Sequence, residues 1–63
     1  MNDDQFEGKI DRVKGKIQEK WGQLTDDEIQ EAKGSRKNFI GKIQEKYGDT
    51  KEDISKQLDA LFS

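Results

Sequence analysis

The sequence contains no cysteine, no histidine and no proline, and each absence removes a class of explanation. Without cysteine there is no disulfide, no thiolate nucleophile and no sulfur ligand for a metal, and the redox compartment stays open. Without histidine, and with no serine or threonine placed beside a plausible base, nucleophilic catalysis has no starting point. Without proline, nothing breaks a helix from within. Apolar residues are scarce as well, at 29% of 63. No stretch approaches the ~18 consecutive apolar residues of a membrane span, and no signal-peptide core follows Met1. These gaps point to a soluble, cytoplasmic protein that is not an enzyme, with no cofactor and no metal.

Charge of one sign is lacking too. Twelve Lys and Arg against fourteen Asp and Glu leave a net charge of −2, too near balance to announce a polyanionic partner. Charged residues make up 41% of the chain, close to the border with disorder. Sixty-three residues are one domain at most, near the size where a single core barely suffices. Folding therefore has to come from patterning.

The pattern is a repeat. Gly15 to Gly22 reads GKIQEKWG, and Gly41 to Gly48 reads GKIQEKYG, with Trp21 exchanged for Tyr47. Gly8, Gly15 and Gly22 match Gly34, Gly41 and Gly48 at an offset of 26, which falls to 25 where Thr25, Glu28 and Ile29 match Thr50, Asp53 and Ile54. One residue is missing from the second turn. Repeats of about 3–33 and 34–62 follow, each a long helix, a tight turn and a short helix.

Phe6, Ile10, Val13, Ile17, Trp21 and Leu24 recur at steps of 4, 3, 4, 4 and 3, the period of an amphipathic helix. Asp4 and Glu7 suit its first turn. Gly22 is expected to end it in the left-handed conformation. Thr25 and Glu28 form a capping box for a short second helix carrying Ile29 and Ala32. Ser35 caps a third helix with Phe39, Ile40, Ile43 and Tyr47 inward, ended by Gly48. Thr50 and Asp53 repeat the cap in variant form before a last helix with Ile54, Leu58, Leu61 and Phe62. The fold class is all-α, a small four-helix bundle of two repeated helix-turn-helix hairpins, long-short-long-short, occupying residues 1–63. The expected core is Phe6, Ile10, Val13, Ile17, Trp21, Leu24, Ile29, Phe39, Ile40, Ile43, Tyr47, Ile54, Leu58 and Leu61.

Few residues offer chemistry. Asp26, Asp27 and Glu28 could be drawn as an acid-base or metal cluster, but carboxylates in a helix's first turn are explained by the helix dipole. The run from Asp49 to Asp53 lacks the glycine and terminal Glu of a calcium loop. Glycines seven apart do not make a phosphate cradle. One surface remains: at about 100° per residue, Lys9, Arg12, Lys16 and Lys20 share a flank of the first helix, with Lys42 and Lys46 on the matching flank of the third. These could form one polyanion-binding patch. The competing reading is solvated lysines paired with Glu19 and Glu45.

The run GKIQEKWGQLTDDE, with the Gly34 segment and GKIQEKYG after it, resembles the CsbD-like family of small bacterial stress proteins. The resemblance implies a bacterial cytoplasmic protein induced under general stress, folded as four helices in two crossed hairpins, with no enzymatic activity and no catalytic residue to carry over. The favoured function is then a stress-response protein acting as a helical protein-interaction module, a monomer with an unknown protein partner. The alternatives are a hydrophilic protective protein and a weak binder of nucleic acid or anionic surfaces through the lysine flank.

Overall fold

The computed structural model describes the backbone of residues 3–63 and the side chains from Gln5 onward. It contains four helices and, among the described residues, no strand: α1 (Asp3–Lys20), α2 (Asp26–Ala32), α3 (Arg36–Tyr47) and α4 (Lys51–Phe62). The Asp4 side chain, expected to place acid at the helix start, lies outside the described side chains.

The caps fall where the sequence puts them. Thr25 Oγ1 accepts from the Glu28 N–H at 3.1 Å while Glu28 Oε1 accepts from the Thr25 N–H at 3.0 Å, a complete capping box at the start of α2. Ser35 caps α3 through the Asn38 N–H. Thr50 caps α4 through the Asp53 N–H at 3.1 Å. Each such cap contributes about 1 kcal/mol by satisfying an N–H the helix itself leaves unpaired.

α3 packs against both α2 and α4, and α4 against α1. α2 meets α1 through polar side chains: Asp26 meets Lys14 at 3.4 Å and also Gln18, and Lys33 meets Asp11 at 2.9 Å. α4 returns along α3, where Arg36 donates to Ser55 at 2.6 Å and to Asp59 at 2.9 Å. The hairpins join over one apolar layer. Phe6, Ile10, Ile17, Trp21, Leu24, Ile29, Ala32, Phe39, Ile40, Ile43, Ile54 and Leu58 are buried. Phe6 stands edge-on to Phe39 at 5.8 Å and to Phe62 at 6.0 Å, so one ring near the start of α1 ties it to α3 and α4. Such pairs contribute about 0.5–1.5 kcal/mol each beyond area burial.

Four expectations need correction. Val13, Tyr47 and Leu61 are half-buried and pack against the core without belonging to it, whereas Ala32 is inside. Val13 also leaves helical geometry, at φ −108° and ψ 18°, and kinks α1 there. The two segments on either side bury Phe6 and Ile10, then Ile17, with Trp21 buried just past the end of the helix. Gly22 does not take the left-handed conformation; among the described glycines only Gly48 does, at φ 75°. The extra residue in the first turn explains this, because Leu24 N–H can close back on the Trp21 carbonyl at 3.0 Å. The shorter second turn must reverse within Gly48, whose N–H closes on Gln44 at 2.8 Å.

The fourth concerns length. α4 has twelve residues, equal to α3, where a short helix was expected. At the positions where the first copy has Lys33 and Gly34, the second has Leu58 and Asp59. With no glycine to stop it and with Leu58, Leu61 and Phe62 still to pack, the helix continues.

Candidate interaction surface

Two lysines of the expected flank turn out to serve the fold. Lys46, in the last turn of α3, reaches Glu28 of the α2 capping box at 2.8 Å. Glu28 is thus held on one oxygen by the Thr25 N–H and on the other by the Lys46 ammonium. The Lys46 hydrogen bond first, and the Thr25 N–H second, lower its pKa below the usual carboxylate value. Beside this pair the Tyr47 hydroxyl accepts from the Gln23 N–H at 2.9 Å. Together these contacts fasten the end of α3 to the first turn of α2. Lys42 lies 3.9 Å from Glu45, in a loose pair one turn along the same helix.

The four cations of α1 are placed otherwise. Lys9, Arg12, Lys16 and Lys20 are all exposed, and none makes an ion pair among the described side chains. Lys9 has its ammonium 5.5 Å above the Phe62 ring, and Lys20 lies 5.9 Å from Trp21, both distances at which a ring face attracts a cation. Arg12 and Lys16, between them, have neither kind of partner among the described residues. Glu19, expected to pair with a lysine, makes no ion pair among the described residues.

Lys20 and Lys46 hold equivalent places in the repeat but differ in what they meet. The partner of Lys46 is Glu28; the residue equivalent to Glu28 is Asp53, one methylene shorter. Asp53 gives its N–H to Thr50 but returns no side-chain bond, and Lys20 is left outward.

The glycines of the outer faces are open. A β-carbon added at Gly8, Gly15 or Gly41 would meet nothing within 4 Å. The Asp26–Glu28 carboxylates do not act as a set, because Asp26 faces Lys14 and Gln18 of α1 whereas Glu28 faces Lys46 of α3. The links Asp11–Lys33, Lys14–Asp26 and Gln23–Tyr47 had no signal in the sequence, since each joins segments whose relative rotation only packing decides. No helix, among the described residues, is long and apolar enough to cross a membrane.

The model of the family described as CsbD-like matches residues 4–56. Among the similar curated proteins, a UPF0337 protein of Bdellovibrio bacteriovorus is 50% identical over 92% of this chain. The chain spans only 62% of that relative's length. A UPF0337 protein of Protochlamydia amoebophila is 46% identical over 90% of this chain and 86% of its own. The UPF0337 protein YjbJ of Escherichia coli K12 is 43% identical over 92% of this chain and 84% of its own. No solved structure matches. With the family model covering most of the chain and the bacterial relatives aligned across both hairpins, the chain belongs to the CsbD-like family.

Proposed function

We propose that this chain is a non-enzymatic stress-response protein that works as one unit by contact, as a helical interaction module whose working surface is the outer face of α1. The observation that carries this reading is how the residues are used. The large apolar side chains of both repeats fill or flank the core, and five of the cations bridge to acids of the fold. The outer face of α1 has no such role: Lys9, Arg12, Lys16 and Lys20 point out beside open Gly8 and Gly15. A surface of exposed, unpaired charge on a rigid element can steer and hold a partner by complementary charge. The module reading is preferred over water-replacing protection because a filled core with complete caps needs no partner or drying to order it.

The test is capture from bacterial cells under stress, with and without nuclease treatment. Wild type is compared with the double variant Arg12→Glu, Lys16→Glu. A set of molecules retained by wild type and lost from the variant is expected. Identical profiles, together with equal protection of a desiccated reporter enzyme by both proteins, would move the assignment to the protective class.

A further inference from the structure

We infer that the row Lys9, Arg12, Lys16 and Lys20 on α1 is a binding surface for the phosphodiester backbone of a nucleic-acid strand, without base specificity. The inference rests on the reading of α1 as the working face and names its partner class.

The shape of the patch selects this partner. The kink at Val13 divides the row into Lys9 and Arg12 before it and Lys16 and Lys20, one turn apart on the same face, after it. They are spread over eleven steps of the kinked helix, at most about 16 Å at 1.5 Å per residue. A narrow row of that length matches successive phosphates of one strand. An anionic bilayer is a plane, and helices that bind it also insert large apolar side chains. Here Phe6, Ile10, Ile17 and Trp21 of the same segment are buried, so insertion has nothing to use. Among the described residues Lys14, Lys33, Arg36, Lys42 and Lys46 bridge to acids; the four cations of the row, with Lys37, Lys51 and Lys56, do not, and α1 is the one helix that carries four of them. On the side of Arg12 away from the core, Gly8 and Gly15 leave the surface low, so no side chain there holds a strand away.

The same surface limits what the contact can read. No exposed aromatic stands among the cations to stack on a base, because Trp21 is inside the core. Phosphate contact without base contact gives position and affinity but no sequence preference. Glu19, an exposed carboxylate at the edge of the row, opposes the phosphates and holds affinity down. Binding is expected in the range of about 10⁻⁴ to 10⁻⁶ M typical of non-specific contacts.

The experiment is fluorescence anisotropy with a labelled 20-nucleotide single strand, a duplex of the same length, and vesicles containing phosphatidylglycerol. Four phosphate contacts predict a salt slope of about −2.8 on the single strand, a loss of about 50-fold in affinity from 50 to 200 mM salt. Arg12→Glu with Lys16→Glu should abolish binding. Lys37→Glu with Lys56→Glu makes the same change in net charge at exposed cations on α3 and α4, and should leave binding within a few-fold of wild type once net charge is screened. Glu19→Gln should tighten it several-fold. Circular dichroism confirms folding of each variant, with Arg12→Gln and Lys16→Gln in reserve if the charge reversal unfolds the chain. Equal loss in both double variants would overturn the inference, because net charge would then explain it. So would binding to vesicles alone, or to neither. Proteins captured from nuclease-treated cells in the absence of any nucleic-acid binding would overturn the partner class while leaving the interaction-module reading intact.

Discussion

Four glycines of the repeat offer a test in which chemically identical substitutions should have different signs. Gly15 and Gly41 lie in ordinary helix, have negative φ, and would place a new β-carbon in open space. Alanine there meets no clash, raises helix propensity and restricts the unfolded chain, a gain of about 0.4–1 kcal/mol per site. The two sites are far apart in sequence and on different helices, so the double variant should gain about 0.8–2 kcal/mol. At about 2.1 cal/mol/K per residue the unfolding entropy is roughly 0.13 kcal/mol/K for this length, so the melting temperature should rise by about 6–15 °C. Gly22→Ala is expected to be near neutral, since its φ is not left-handed and the nearest atom to the new carbon is the Gln18 carbonyl at an ordinary 3.7 Å. Gly48→Ala should instead lose about 1–2 kcal/mol, the cost of a β-carbon at φ 75°. Thermal melts followed at 222 nm, with sedimentation to detect self-association, decide the matter. Destabilisation of the Gly15, Gly41 double variant, or loss of a wild-type dimer, would mean that another backbone lies against those faces and that the outer surface is an interface between copies.

Three further outcomes follow from the packing. Trp21→Ala should cost about 3–5 kcal/mol, because the ring is only 2% exposed, and in a domain of this size that amounts to unfolding; a cooperative melt close to wild type would refute the core assignment. Tyr47→Phe removes the acceptor for the Gln23 N–H, which is exposed and can turn to water, so the loss should stay within about 1.5 kcal/mol, with the Gln23 amide proton exchanging faster. Glu28 has a lowered folded-state pKa, so its contribution is fully present above the unfolded carboxylate value of about 4.3 and is lost as pH falls through the lower folded value. Glu28→Gln should therefore flatten the decline of melting temperature with acid in that window, and an unchanged decline would show that the Lys46 contact contributes nothing to it.

Much of this architecture was legible because local chemistry decided it. Thr25, Ser35 and Thr50 cap where their spacing said they would, since a cap needs only the residues three positions on. Eleven of the expected core residues, from Phe6 to Leu58, are buried because the 3.6-residue period fixes which face of a helix is apolar before any partner is known. What failed was whatever depended on a difference between the copies. Gly22 and Gly48 sit in the same octapeptide, yet only the shorter turn forces a positive φ. Residues 33 and 34 stop α2, while Leu58 and Asp59 in their place carry α4 onward.

The lysine flank follows the same logic and sets the limit of symmetry as evidence. Repeat identity placed Lys20 and Lys46 on equal terms, and with them Lys16 and Lys42. Their environments are not repeated: the capping-box Glu28 of α2 bridges to Lys46 of α3, whereas Asp53 of α4 gives its N–H to Thr50 and bridges to no cation among the described residues. Side-chain reach predicts that the one methylene between Glu28 and Asp53 separates a lysine that fastens the fold from its twin in solvent. Changing Asp53 to Glu tests this directly. The longer carboxylate should complete a second capping box and draw Lys20 inward, raising stability by about 0.5–1 kcal/mol. It should also shorten the basic row from four cations to three, lowering the single-strand salt slope by about 0.7. A gain in stability with the slope unchanged would place Lys20 outside the binding row, and no gain at all would show that the asymmetry has some cause other than side-chain reach.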